Sequence, residues 1–245
     1  MILISLFLNS CAKEEIENLI EPTLKTVCVP YTMTINSSTI INFEYNKEND
    51  YKLMSMSEYV DNNERYQVNF IYHDNLLSEI KEDLNGSINI WKILISPDSI
   101  YCQNVDKKDL YIYMNINDNG LPVYFRLKEM LVYYSYNKEN DLEQIIVTKN
   151  GIVQTIEKYA YDMEKFNFCS FVNFPKWAYF LPLYINKYLS SGTHCVTKVE
   201  TEPNSNNIII KDILYSRNYP FLYNYDIGNK NYTMRINYMV YNKEI

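Results

Sequence analysis

The 245-residue sequence predicts an all-β protein, a curved antiparallel meander or half-open barrel built of repeated hairpins. One pattern runs an aromatic residue, any residue, Tyr, an Asn- or Asp-rich turn and then alternating apolar residues. It recurs at 43–56, 70–80, 111–125, 134–147, 159–168 and 223–236. Alternation of period two is typical of strands, and Asn and Asp tolerate the positive φ of tight hairpin turns. The string YNKEND occurs at both 45–50 and 136–141, which indicates internal duplication.

The tyrosine at the third position of the pattern is predicted to occupy the same place in the sheet in each copy. Aromatic residues pack well against neighbouring strands, and lone strands could not bury one face without neighbours. We expect an equivalent strand position for Tyr45, Tyr72, Tyr136, Tyr161 and Tyr225. Tyr113 is the tyrosine at this third position in the copy at 111–125.

One segment, near 166–190, breaks the repeat. Its sequence, FNFCSFVNFPKWAYFLPLYINKYLS, is apolar without alternation, and Pro175 and Pro182 interrupt it. Prolines of this kind disfavour a strand, so we predict a short helical or irregular insertion laid against the sheet. Its aromatic rings either bind a sugar by stacking or fill the concave side of the sheet. The candidate ligand-binding residues are Trp177, Tyr179 and Tyr184, with Trp91 elsewhere in the chain.

The N-terminus predicts export and lipidation. An apolar run from Ile2 to Leu8 precedes Leu8-Asn9-Ser10-Cys11, which has the form of a lipobox. Cysteine is needed there because its thiolate takes the lipid, and several acyl chains on one residue make a stable anchor. We expect a signal peptide at 1–10, a lipidated N-terminus and tether at 11–30, and a single β-meander domain at 31–245.

The residues after Cys11 carry a second signal. Lys13-Glu14-Glu15 resembles the lipoprotein export signal of Bacteroidetes bacteria, which routes a lipoprotein to the outer leaflet. The bland alternative is a solvated tether with chance charges. The first interpretation predicts an outer-membrane protein displayed at the cell surface.

Composition restricts the partners and the chemistry. A net charge of −7 and a pI near 5.0 exclude a nucleic-acid partner, which would need clustered Lys and Arg. The expected partners are the membrane, through the anchor at Cys11, and a glycan or another surface protein. Only two histidines are present, so we expect no metal, no cofactor and no enzyme. A hydrolase using paired carboxylates is the third hypothesis.

Two further features leave alternatives open. Cys28, Cys102, Cys169 and Cys195 form disulfides in one of three pairings, or they are buried thiols. Asp98-Ser99-Ile100 matches the Bacteroidetes pattern for O-glycosylation, which makes Ser99 a candidate for modification in an exposed loop.

With the lipobox, the repeated hairpins, the interrupting "NFPKWAYFLPLY" and the closing "YNYDIGNKNYTMRINYMVY", the chain resembles a Bacteroidetes lipoprotein family of unknown function. That family is labelled as having a porin-like fold, and the resemblance covers roughly residues 35 to 242. It implies a strongly curved antiparallel sheet, secretion and no assigned activity. The resulting hypothesis is a non-enzymatic scaffold or binding module, and the alternative is a glycan-binding accessory protein that uses the aromatic segment.

Overall fold

The computed structural model describes residues 24–189, 192–203, 207–216 and 218–244. They form sixteen antiparallel strands in simple up-and-down order. The strands are β1 Leu24–Ile35, β2 Thr39–Asn46, β3 Lys52–Val60, β4 Asn63–His73, β5 Leu76–Leu84, β6 Ser87–Ile95, β7 Ser99–Asn104, β8 Tyr111–Ile116, β9 Pro122–Leu127, β10 Met130–Tyr136, β11 Leu142–Lys149, β12 Ile152–Phe166, β13 His194–Glu202, β14 Ile208–Ser216, β15 Tyr219–Ile227 and β16 Lys230–Glu244.

The sheet closes on itself because β1 pairs with β16. At one end of this seam the Asn36 amide donates to the Thr233 carbonyl, and the Thr233 amide donates to Asn36 Oδ1, both at 2.9 Å. Closure removes the unpaired edges that an open meander would expose. The predicted all-β antiparallel meander is confirmed, as a closed barrel.

Tight turns of the predicted chemistry join many of the strands. Both central residues have positive φ in the two-residue turns Asp61-Asn62, Asp74-Asn75, Asn85-Gly86 and Asn150-Gly151. Positive φ at both positions is the signature of the type I′ turn, whose twist matches that of the flanking strands.

Most of the repeated tyrosines do share one strand position. Their side chains are partly buried, and each hydroxyl donates to a backbone carbonyl 14 to 19 positions earlier: Tyr45 to Pro30, Tyr72 to Leu53, Tyr136 to Pro122, Tyr161 to Leu142. A shift in strand register falls directly before each of the four. Tyr225 differs, because its ring stacks on Tyr232 at 5.4 Å. Tyr238 makes the same bond instead, to the Pro220 carbonyl at 2.5 Å.

The barrel begins earlier than the sequence suggested. The sequence predicts a tether over 11–30, but β1 starts at Leu24. Val27 and Val29 are buried against Tyr241 of β16. Pro30 lies at a register shift between β1 and β16, one of the few places where a sheet accepts a proline.

The apolar core lies inside the barrel, and polar side chains alternate with buried ones on several strands. On β4, Gln67 alternates with the buried Val68, and on β6, Lys92 lies between the buried Trp91 and Ile93. Within the described residues, the structure contains no helix of the length and apolarity that a membrane span requires.

The predicted insertion after β12 fills the barrel. It contains two short 3₁₀ helices, Lys176–Phe180 and Tyr184–Tyr188. Phe174 packs edge-on against Phe70 of β4 at 4.7 Å, and Phe180 packs against Tyr134 of β10 at 4.8 Å. Since these partners belong to well-separated strands, the insertion crosses the interior and forms much of the core.

Candidate ligand-binding groove

A groove on the outer wall concentrates exposed tyrosines. It spans β7 to β10 and encloses about 490 Å³. We call it the outer tyrosine groove, and its residues are Tyr101, Tyr111, Tyr113, Tyr124, Arg126, Leu131 and Tyr133. Its volume lies within the range of about 300–1,000 Å³ that is common for ligand pockets.

Strand alternation explains why these rings face solvent. On β7, Ile100 and Cys102 are buried, so Tyr101 between them points outward. On β8, the buried Ile112 and Met114 leave Tyr111 and Tyr113 on the outer face. Successive residues of a strand point to opposite faces, so apolar side chains enter the core and tyrosines remain on the wall.

The rings lie side by side across the strands. Centroids are 5.6 Å apart for Tyr101 and Tyr111, 6.1 Å for Tyr113 and Tyr124, and 6.3 Å for Tyr124 and Tyr133. Tyr111 and Tyr133 are 38% and 43% exposed. Desolvation, together with the neighbouring Tyr113 hydroxyl, raises the pKa of Tyr124. The groove thus offers neutral ring faces edged with hydroxyls.

Tyr113, the tyrosine of the copy at 111–125, does not occupy the strand position that most of the other repeat tyrosines share. Asn117 and Asn137 cap similar turns, because each side-chain oxygen accepts the amides two and four residues later. Counting back from these turns aligns Ile116, not Tyr113, with Tyr136. The register shift accordingly falls before Ile116, and Tyr113 stays on the outer face. The turn asparagine is the sequence signal that would have corrected the alignment.

The aromatic residues predicted to bind a ligand lie within the barrel. Trp177 is 5% exposed and Trp91 is 9% exposed, so neither offers a ring face to a sugar. Trp91 Nε1 donates to the buried Glu82 at 3.3 Å. Tyr184 packs on Tyr66 at 4.8 Å, and burial strongly raises the pKa of Tyr179. Their rings belong to the core, which is the second of the two alternatives that the sequence left open.

Other predictions concern the N-terminal signals, the cysteines, the candidate glycosylation site and metal binding. Cys11, Lys13, Glu14 and Glu15 lie outside the described residues. Cys28, Cys102, Cys169 and Cys195 are buried thiols. Ser99 opens β7, and its hydroxyl bonds Asp98 at 3.2 Å. Within the described ranges, no group of three or more His, Cys, Asp or Glu side chains could hold a metal.

One polar cluster was not foreseen. Asp141, in the turn before β11, is fully buried, and its Oδ1 accepts the amides of Thr193 at 2.7 Å and His194 at 3.0 Å. Its Oδ2 lies 2.5 Å from His194 Nδ1. A Cβ on Gly192 would lie 2.8 Å from the same carboxylate, so this glycine permits the close approach. The cluster fastens the end of the insertion to the barrel. No local sequence pattern could have predicted this contact, because Asp141 and His194 are 53 positions apart.

Two solved structures of porin-like proteins are similar to this chain in fold. A porin-like protein from Bacteroides uniformis ATCC 8492 is 12% identical, with a TM-score of 0.41, over 90% of this chain and 99% of that one. A porin-like protein from Bacteroides vulgatus ATCC 8482 is 10% identical, with a TM-score of 0.42, over 85% of this chain and 98% of that one. Neither says what this chain binds. No protein-family model matches the sequence, and no curated protein matches it.

Proposed function

We propose that the protein is a non-enzymatic binding module, lipid-anchored to the outer membrane and displayed at the cell surface, that takes a saccharide chain along the outer tyrosine groove. The observation that carries the proposal is the set of five tyrosines that face outward on four adjacent strands.

The chemistry of the groove favours a saccharide. A sugar ring has apolar C–H faces and hydroxyl edges, and tyrosine matches both with a flat ring and a polar tip. Tyrosine also contributes much contact area at low entropic cost, since it has only two side-chain torsions. Four strands of a closed barrel hold the rings, so little ordering is needed on binding.

The anchor is supported by the lipobox at Leu8-Asn9-Ser10-Cys11 and by Lys13-Glu14-Glu15. The apolar interior, with polar side chains such as Gln67 and Lys92 on the opposite face of the strands, is compatible with a body held in water beside a membrane. Cys11→Ala should move the protein from the membrane fraction to the soluble fraction. Mass spectrometry that finds an unmodified Cys11, or residues 1–10 retained, would contradict the anchor.

Binding is tested with wild type, Tyr124→Ala and Tyr133→Ala on a glycan array, followed by calorimetry on retained glycans. Each ring removed should weaken binding at least about tenfold, about 1.4 kcal/mol. Tyr31 is an exposed tyrosine of β1, outside the groove, so Tyr31→Ala is the matched control and should bind as wild type does. The proposal fails if no glycan is retained, or if Tyr31→Ala and Tyr124→Ala behave alike.

A further inference from the structure

Arg126 lies in the centre of the outer tyrosine groove. Cross-strand register places it opposite Tyr113 on β8 and opposite Leu131 on β10. Tyr113 in turn lies opposite Tyr101 on β7. Tyr124 is two residues away on the same strand and therefore on the same face. A cation thus stands in a row of aromatic rings.

This cation has no counterion within the described part of the chain. Arg126 Nε donates to the Lys128 carbonyl at 3.3 Å, and none of the ion pairs of the described residues includes its guanidinium. The residues that line the groove include no Asp or Glu. The chain has 30 acidic residues and a net charge of −7, so a groove that carries an arginine and no acidic side chain differs from the charge balance of the whole chain.

We infer that the groove selects a saccharide chain whose units carry a carboxylate, such as a uronic acid, with Arg126 as the residue that determines this specificity. The inference rests on the proposed function and adds the ligand class. The guanidinium is planar, always charged and shaped to bind a carboxylate through two parallel hydrogen bonds. The tyrosines would hold the apolar faces of the rings while Arg126 holds the acid group.

The test uses two probes that share a backbone, polygalacturonate and its fully methyl-esterified form. Wild type should bind the acid at least about tenfold more tightly than the ester, and added NaCl should reduce only the binding of the acid. Arg126→Gln should lose that preference, so that it binds the acid and the ester with equal affinity. Arg126→Lys should give an intermediate affinity, because lysine keeps the charge and loses the two-point geometry. Arg235, an exposed arginine of β16, supplies the control Arg235→Gln with the same change in net charge.

Distinct outcomes overturn distinct claims. The inference fails if wild type binds acid and ester equally, or if Arg126→Gln matches Arg235→Gln. It also fails if dextran sulfate, or vesicles of phosphatidylglycerol, compete as well as polygalacturonate does. If neither polymer binds but Tyr124→Ala still loses a neutral glycan, the ligand class is wrong and the proposed function stands. If Tyr124→Ala changes binding to no glycan, the proposed function fails as well.

Discussion

The Tyr136 hydroxyl donates a 2.8 Å hydrogen bond to the carbonyl oxygen of Pro122, which lies 14 positions earlier. Tyr45 makes the same 2.8 Å bond to Pro30, 15 positions earlier. The two tyrosines begin the two copies of YNKEND. The repeated string therefore encodes a bond from the tyrosine at the end of a strand to the backbone of an earlier one, and this bond can be tested.

Tyr136→Phe should lower the free energy of unfolding by about 1–2 kcal/mol, because the partly buried ring stays while its hydrogen bond to Pro122 is lost. Urea denaturation measures the change. Tyr133→Phe, on an exposed neighbour in β10, should change stability by less than about 0.5 kcal/mol. Equal effects of the two changes would show that the bond adds no stability.

Trp177→Ala should destabilise the barrel by about 3–5 kcal/mol, because it removes a large buried ring from the insertion that fills the interior. The exposed Lys176 begins the same 3₁₀ helix, so Lys176→Ala is the matched control and should be nearly neutral. Thermal and chemical denaturation would both report the difference. A Trp177→Ala protein as stable as wild type would mean that the insertion is not part of the core.

Asp141→Ala should cost about 3–5 kcal/mol, since it leaves the partners of a buried carboxylate unpaired. Asp141→Asn keeps the shape and should cost less. Hydrogen exchange should become faster at the amides of Thr193 and His194, which donate to Asp141. Glu139→Gln in the same turn serves as a control, because Glu139 belongs to an exposed ion pair with Lys138. Unchanged exchange in Asp141→Ala would refute the fastening role.

Stability should fall as the pH rises above 9, in part through Cys102. Burial raises the pKa of this thiol from 9.0 to about 12, so the unfolded chain loses the proton first. Between these two pH values the folded state binds more protons, and each such group lowers the free energy of unfolding by at most about 1.4 kcal/mol per pH unit. Cys102→Ala should therefore show a shallower decline than wild type between pH 9 and 10.5. Parallel declines would contradict the assignment, since the buried tyrosines contribute equally to both proteins.

Replacement of Lys13, Glu14 and Glu15 together by Ala should leave the protein lipidated but hidden from protease added to intact cells. The same protease should degrade the wild-type protein. If it reaches both proteins equally, these three residues carry no export signal.

Local chemistry predicted much of the fold. Alternation and Asn-rich turns predicted the hairpins, and the prolines at 175 and 182 predicted that the insertion would not form a strand. Long-range relations could not be predicted in this way. Nothing local tells that β1 meets β16, that Trp177 enters the barrel, or that Asp141 meets His194.

The outer tyrosine groove shows the same limit. Alternation along the sequence places Tyr111 and Tyr113 on the same face of one strand, but it does not tell whether that face is the inner or the outer one. Which face is buried depends on a register shift, and a slip of one residue reverses every side chain. The repeat alone does not show which face Tyr113 occupies, and the register shift before Ile116 leaves it on the outer face.

Pairing of the first strand with the last also constrains the order of events during biosynthesis. The ribosome makes β1 well before β16, so the nascent chain cannot close its sheet until β16 has been made. Until then two strand edges stay open, and open edges are the sites at which separate chains join into aggregates. Contacts across some 200 positions, such as Asn36 with Thr233, also form slowly. A chaperone that shields β1 while the chain waits for its final strand would therefore matter more to this protein than to one whose strands pair only with their neighbours in sequence.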